Sequence, residues 1–245
     1  MKVVFFGATK GMGRALARTM AERGDRLFLL GRDPEELEKT ARDLEIRGAP
    51  SPVRFAPSDL SKPESFGPAL DEAAGQLDGL ETVVVTAGLL VAQEQLETDP
   101  ELTNRLLSAD FTNTLLFCEE ARRRLLAAGG GTLCVFSSVA GERGRKPVIL
   151  YGAAKAGLSR YLEGLDHKFR ARGLKTVCVK PGFVNTGMTA GLRPPPFAGE
   201  PDDVAPRVLR AIDRGTPEVY APWVWGQIMF AIKWLPRAVM RRINF

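Results

Sequence analysis

Short β-rich runs alternate with longer helical stretches from one end of the chain to the other, and this alternation constrains the fold more than any other feature. The runs are Val3–Phe6, Leu27–Leu30, Val53–Ala56, Thr82–Val85, Leu133–Phe136 and Val177–Lys180. Each is mostly apolar instead of alternating, the pattern of parallel strands covered on both faces. Helix starts are legible between them. Asp33-Pro34-Glu35-Glu36 offers an N-cap, a proline in the first turn and a capping-box acid; Ser61-Lys62-Pro63-Glu64 repeats the box, and Asp99-Pro100 offers a third cap. A repeated strand–helix–strand order implies right-handed crossovers and a doubly wound α/β parallel sheet, with Val219–Ala221 as an edge strand. No linker, repeat or low-complexity segment divides residues 1–245, so a single domain is expected.

Composition narrows the function. A chain of 245 residues can bury a substantial core, and 44% hydrophobic with 26% charged residues is an ordinary globular balance. Cys118, Cys134 and Cys178 are odd in number, far apart and set among apolar neighbours. They read as buried thiols in a reducing compartment, with neither a disulfide frame nor a zinc site, so no metal is expected. The single histidine, His167, lies in a polar helical stretch and is expected at the surface, which makes a Ser-His-Asp hydrolase a poor fit. The apolar start ends at Gly7, too early for a signal-peptide core, so a cytoplasmic location is expected. The net charge is +5, and Lys233, Arg237, Arg241 and Arg242 supply four of those charges. The remainder is close to neutral, which argues against nucleic acid as a partner.

Gly7-Ala8-Thr9-Lys10-Gly11-Met12-Gly13 follows the first strand and leads into a helix. Such a turn lets backbone approach a pyrophosphate at the helix N-terminus, and its position predicts a Rossmann-like dinucleotide site. The second strand ends in Gly31-Arg32-Asp33. A carboxylate near Gly31 would hold a free ribose 2′-hydroxyl; glycine instead leaves room for a 2′-phosphate that Arg32 grips, with Lys10 adding charge. The pair predicts NADPH, and Asp33 is better read as the helix cap.

Ser138 closes the fifth strand, and Tyr151-Gly152-Ala153-Ala154-Lys155 opens the next helix. Tyr151 and Lys155, four apart, share a helix face. A phenol titrates near ~10, too high for efficient proton exchange at neutral pH, and a neighbouring ammonium is expected to lower it. Ser138 can hold a carbonyl oxygen beside the Tyr151 hydroxyl.

Over nearly its whole length the chain resembles the short-chain dehydrogenase/reductase family. Gly7, Gly11 and Gly13 match its glycine motif, and Ser138, Tyr151 and Lys155 its catalytic group. The resemblance implies that Asp59-Leu60 contacts adenine, that Thr86-Ala87-Gly88 stands in for Asn-Ala-Gly, and that Pro181-Gly182-Phe183-Val184-Asn185-Thr186 carries the nicotinamide amide. Within that segment it implies a bond from Val184 to the carboxamide and Thr186 near the pyrophosphate; Lys155 would also bind the nicotinamide ribose. With Thr9 and Met12 in the glycine turn and Ala87 and Gly88 after the fourth strand, these residues make up the expected NADP(H) site. Two departures stand out. Thr86 replaces an asparagine that braces the sheet, and Asp110 replaces the asparagine of the proton relay. That leaves the relay water to Asp110 or to Asn113, one turn on.

Three features bear on the substrate. Glu142-Arg143-Gly144-Arg145-Lys146 lies near the cleft mouth, where its cations either hold a substrate phosphate or form a solvated loop. Gly187 to Gly199 encloses Pro194-Pro195-Pro196-Phe197, either a lid with glycine hinges or a surface connection. In the tail, residues 223–245, Ile228, Ile232, Leu235, Val239 and Ile243 form one helical apolar stripe opposite Lys233, Arg237 and Arg241, and all three tryptophans fall there. The tail either lies on an anionic membrane surface, giving peripheral contact at its inner face, or covers the protein's own cleft or a dimer seam. Ala140-Gly141-Glu142-Arg143, Tyr151-Gly152, Lys155-Ala156-Gly157-Leu158 and Trp234-Leu235-Pro236-Arg237 are similar to the subgroup that reduces a polyprenyl-phosphoryl 2-keto-ribose. The sequence thus predicts a homo-oligomeric reductase that takes a small-molecule or lipid-linked ketone and protonates it from Tyr151. A small hydrophobic ketone and a non-catalytic NADPH-binding regulator are the rival readings.

Overall fold

A computed structural model describes residues 1–243. Its centre is a seven-stranded sheet in the order β3-β2-β1-β4-β5-β6-β7, every neighbouring pair parallel. The strands are β1 (Lys2–Phe6), β2 (Arg26–Gly31), β3 (Arg54–Pro57), β4 (Thr82–Val85), β5 (Gly131–Phe136), β6 (Leu174–Pro181) and β7 (Glu218–Ala221). All seven expected runs are therefore strands, and the Rossmann-like α/β fold is as expected.

The helices are α1 (Gly11–Glu22), α2 (Pro34–Ile46), α3 (Phe66–Leu77), α4 (Gln93–Thr98), α5 (Pro100–Leu107), α6 (Asn113–Ala127), α7 (Ile149–Phe169), α8 (Pro201–Arg214), α9 (Val224–Lys233) and α10 (Arg237–Met240). Because side chains alternate along a strand, β1 feeds two cores. Val3 and Phe5 pack with Leu16 of α1, Leu37 of α2 and Val208 of α8. Val4 and Phe6 pack with Phe66 of α3, Phe117 of α6 and Leu158 of α7. Phe6, Phe66 and Phe117 meet edge to face, with Phe117 centroids 5.0 and 5.3 Å from the other two rings. The chain winds outward from β1 to β3, then crosses back to β4, so a crevice opens beyond the carboxyl ends of β1 and β4.

The caps hold in part. Asp33 Oδ1 accepts from the amides of Glu35 (3.0 Å) and Glu36 (3.2 Å), and Asp99 Oδ1 accepts from Leu102 (2.9 Å). Glu36 does not complete a box; its carboxylate is engaged by Lys39 at 3.4 Å. The box expected at Ser61–Glu64 does not form. Asp59 Oδ1 accepts from the Ser61 amide at 2.8 Å, the chain makes a 3₁₀ turn over Pro63–Ser65, and α3 begins only at Phe66. A carboxylate two residues upstream closes an Asx turn before a serine cap can act.

The tail differs most from expectation. Instead of one amphipathic helix, α9 stops at Lys233 and α10 starts after Pro236, which lacks an amide donor and disfavours helix at Leu235. The expected stripe is split accordingly. Ile228 and Ile232 pack on a small cluster of Val139, Trp225 and Met229, whereas Val239 is exposed. The last two residues of the 223–245 segment lie outside the described residues. Among the described residues no helix is long and apolar enough to cross a membrane.

Candidate active site

The glycine turn is shaped by close backbone approach. Gly7 has φ +102°, and a Cβ there would lie 2.6 Å from Thr86 Oγ1 and 2.7 Å from the Ala87 amide. A Cβ on Gly13 would overlap the Gly7 carbonyl. Thr86 Oγ1 donates to that carbonyl at 2.8 Å, so threonine braces the turn to β4. Arg14 Nε donates to Thr9 O at 2.7 Å from the other side. No side chain caps the N-terminus of α1 at Lys10, which leaves its dipole end facing the turn. Met12 packs against the core, and Thr186 lies across the turn, its Cγ2 3.3 Å from where a Gly11 Cβ would sit.

At the end of β2, Arg32 and Lys10 are both exposed, and neither makes an ion pair among the described residues. Asp33 is committed to capping α2. Gly31 packs tightly: a Cβ there would lie 3.1 Å from Leu37. Leu60 is buried, and its carbonyl accepts from Asn113 Nδ2 at 2.6 Å. The Asn113 amide is thereby tied to the loop after β3.

Asp110 sits in a wide π-type turn, Ser108–Thr112, between α5 and α6. That turn aims the carboxylate inward: it is fully buried, and Oδ1 accepts from the Leu89 amide at 2.6 Å. Oδ2 lies 3.6 Å from Lys155 Nζ and has no hydrogen-bond partner among the described residues. Gly88 lets the two charges approach, since a Cβ there would stand 3.0 Å from Asp110 Oδ1 and 3.5 Å from Lys155 Nζ.

Lys155 is buried and also donates to Phe136 O at 3.3 Å. Its ammonium lies 5.6 Å from the centre of the Tyr151 ring. Ser138, extended just past the end of β5, accepts from the Ala140 amide at 3.1 Å and acts to lower the pKa of the Tyr151 phenol. Serine, tyrosine and lysine are therefore gathered beside the glycine turn, with Asp110 behind the lysine.

The electrostatics correct one expectation. Burial dominates at Tyr151 and, with the Asp110 charge, holds the phenol above its ordinary value against the pull of Lys155, Ser138 and Arg145. Burial also acts most strongly on Lys155 and lowers it, but Asp110 and Tyr151 outweigh that, so the ammonium is held up. Burial raises Asp110 despite Lys155 and the Leu89 amide.

Of the Glu142–Lys146 cations, only Arg145 faces Tyr151; Arg143 Nη2 donates to Leu235 O at 2.7 Å and Lys146 is exposed. Pro181 ends β6, and the Gly182 amide bonds Ala221 O at 3.1 Å. Val184 is buried, bridged to Gly199, and Thr186 with Thr189 forms a reciprocal capping box. Several contacts had no local signal in the sequence. Ser137 Oγ bonds Lys155 O (2.9 Å) and Ser159 Oγ (2.7 Å), stitching β5 to α7. The Trp225 ring covers Gly182, and its Nε1 donates to Phe197 O at 3.1 Å. The three cysteines are buried free thiols and His167 is exposed.

An open parallel sheet with a glycine turn at its crevice and a Ser–Tyr–Lys group beside it defines a nucleotide-dependent oxidoreductase. The short chain dehydrogenase family model matches residues 1–196, and the chain belongs to that family, whose members use NAD(P)(H). It is 32% identical over 241 residues to the uncharacterized oxidoreductase Rv2073c of Mycobacterium tuberculosis, covering 98% of this chain and 96% of that one. It is 30% identical over 235 residues to carbonyl reductase family member 4 of Danio rerio, covering 92% and 94%. A short-chain type dehydrogenase/reductase from Mycobacterium ulcerans superposes with a TM-score of 0.80 at 22% identity, covering 89% of this chain and 86% of that one, a likeness of fold.

Proposed function

We propose that the protein is an NADPH-dependent ketone reductase. The observation that carries this reading is the Ser138–Tyr151–Lys155 group, its lysine buried, beside a glycine turn in which added Cβ atoms would clash. The residues fit a dinucleotide: the uncapped end of α1 suits a pyrophosphate, and the exposed Arg32 and Lys10 suit a 2′-phosphate. Asp59 and Leu60 would line the adenine, Ala87, Gly88 and Lys155 the ribose, and Pro181, Gly182, Val184 and Thr186 the amide and pyrophosphate. Bound there, the nicotinamide supplies the hydride. Ser138 holds the carbonyl oxygen, and Tyr151 gives its proton to that oxygen as negative charge develops. Because burial and Asp110 hold the phenol up, Tyr151 stays protonated at neutral pH, which suits the reductive direction. Lys155 stabilises the phenolate left behind, and Asp110 holds the ammonium and a relay water.

The substrate is proposed to be a ketone carried on a large apolar group, of which a polyprenyl-phosphoryl keto-sugar is the specific case. Support comes from the rim: Met188, Leu192 and Phe197 in the 187–199 segment, and Trp223, Phe230, Trp234 and Val239 in the tail, are all exposed. On this reading 187–199 is a lid, the tail rests on the inner face of the membrane, and the cytoplasmic protein assembles as a homo-oligomer. NADPH consumption over a panel of ketones tests the activity, with turnover expected to rise with apolar bulk. Tight NADPH binding with no turnover on any ketone would favour the regulator.

A further inference from the structure

The tail also reaches Ser138 through a group of charges whose centre, Glu142 and Lys180, is buried and whose outer members, Lys233 and Glu218, are partly exposed. Ser138 opens, and Glu142 closes, a 3₁₀ turn spanning Val139–Glu142. The Glu142 side chain is 5% exposed and is held from two sides, by Lys180 of β6 and by Lys233 of α9. Tyr220 of β7 donates its hydroxyl to Glu142 Oε2 at 3.2 Å. Lys180 pairs with Glu218 as well and stands 5.5 Å over the Tyr220 ring. The next residue, Arg143, bonds the Leu235 carbonyl, and Val139 packs on Trp225 and Met229. On its opposite side the turn lies flat on α7: a Cβ on Gly141 would come within 2.6 Å of the Ala156 amide, and one on Gly152 within 2.9 Å of Ala140 O.

The turn bearing Ser138 is thus gripped by α7, the sheet edge and the tail. A partly buried ion group of this kind brings little net stability, because desolvation of Glu142 and Lys180 offsets the attraction; what it fixes is geometry. Ser138 Oγ is itself tied to Ala140 inside the same turn, so a shift of Glu142 is transmitted to the serine.

We propose that Glu142 is a positioning residue for Ser138, and that α9 completes the active site by pinning Glu142 through Lys233. The role assigned to Ser138 rests on the reductase reading. The glycine turn and Arg32 make none of these contacts, so the clamp acts on turnover and leaves cofactor affinity alone.

The test uses the full chain with Lys233→Met, which keeps the apolar stem. Turnover of a reducible ketone should fall roughly tenfold to 10²-fold, the scale of a small misplacement, with NADPH affinity unchanged and Lys233→Arg restoring the rate. In a Ser138→Ala background the same substitution should cost almost nothing further. An equal loss in both backgrounds, or full turnover in the single variant, overturns the proposal. Should Lys233→Met fail to fold, Glu142→Gln serves the same comparison. Hydrogen exchange at the Ala140 amide reads the clamp without turnover: it should quicken in the variant, and unchanged exchange also overturns the proposal. If the unmodified chain reduces no ketone with either nicotinamide cofactor, the reductase reading fails, and the exchange measurement alone decides the clamp.

Discussion

The two ends of the cleft are built on opposite principles. At the glycine turn everything is local and tight: β1, four residues of turn and α1 follow one another, and Cβ atoms on Gly7 and Gly13 would collide with neighbouring backbone or Thr86. At the other end, the rim is assembled from 187–199, the turn after Ser138 and the tail, held by Trp225, Arg143 and the charge group around buried Glu142, with aromatic rings left facing outward. A cofactor common to many reactions needs the first kind of site. A particular substrate needs the second, in which surface chemistry can change without disturbing the sheet.

The largest effect should come where the two ends meet. Tyr151→Phe removes the proton donor and leaves the cradle intact, so turnover should fall about 10²–10⁴-fold with NADPH binding preserved. Stopped-flow turnover and a direct titration measure the two separately. Near-normal turnover would take Tyr151 out of the mechanism and leave the comparison without its centre.

How far each end is legible in sequence follows from the same contrast. Strand runs, the Asp33 and Asp99 caps and the glycine turn depend on neighbours within a few residues, so pattern suffices for them. The Ser61 box fails for a local reason, the competing Asp59 carboxylate. The Ser138–Tyr151–Lys155 group is also readable, because one strand end and one helix turn carry it. Nothing local announces that Lys180, Glu142 and Lys233 converge, since three separate elements deliver them. The tail pattern misleads for a related reason: a stripe drawn on one continuous helix ignores the break at Pro236, and Trp225, outside the stripe, is the ring that becomes buried.

The cofactor end can be tested more finely at Arg32. Arg32→Ala should weaken NADPH by roughly 10- to 10²-fold, the worth of charge-assisted hydrogen bonds, and leave NADH little changed. A carboxylate at Gly31 is a poorer probe, because any Cβ there presses on buried Leu37. If the unmodified chain prefers NADH in a direct titration, the 2′-phosphate reading is wrong.

Asp110→Asn should act on pH dependence. The Asp110 charge raises both Tyr151 and Lys155, so removing it lowers both. Reduction needs the phenol protonated and is lost as pH rises through its pKa. The alkaline limb of the kcat profile should therefore move to lower pH in the variant. A limb that stays in place, or moves upward, would show that Asp110 does not govern the phenol.

The smallest effect is expected at the outward rings of the tail. Ending the chain at Pro222 would remove Trp225 and Lys233 together with the rim, and so confuse membrane contact with support of the site. Trp223→Ala with Trp234→Ala is cleaner, since both rings are exposed and neither belongs to the Val139–Trp225–Met229 cluster. Arg237, Arg241 and Arg242 remain in that variant, each worth on the order of 1 kcal/mol near an anionic leaflet, so the loss should be partial. The unmodified chain should sediment with anionic vesicles at low salt and less at high salt, as screening shortens the attraction. The double variant should sediment less at every salt concentration while turning over a small water-soluble ketone as before. An unmodified chain absent from anionic and neutral vesicle pellets alike would leave the rim to a partner subunit or to the substrate alone. The contrast between a tight cofactor end and an adaptable substrate end would then stand without the membrane.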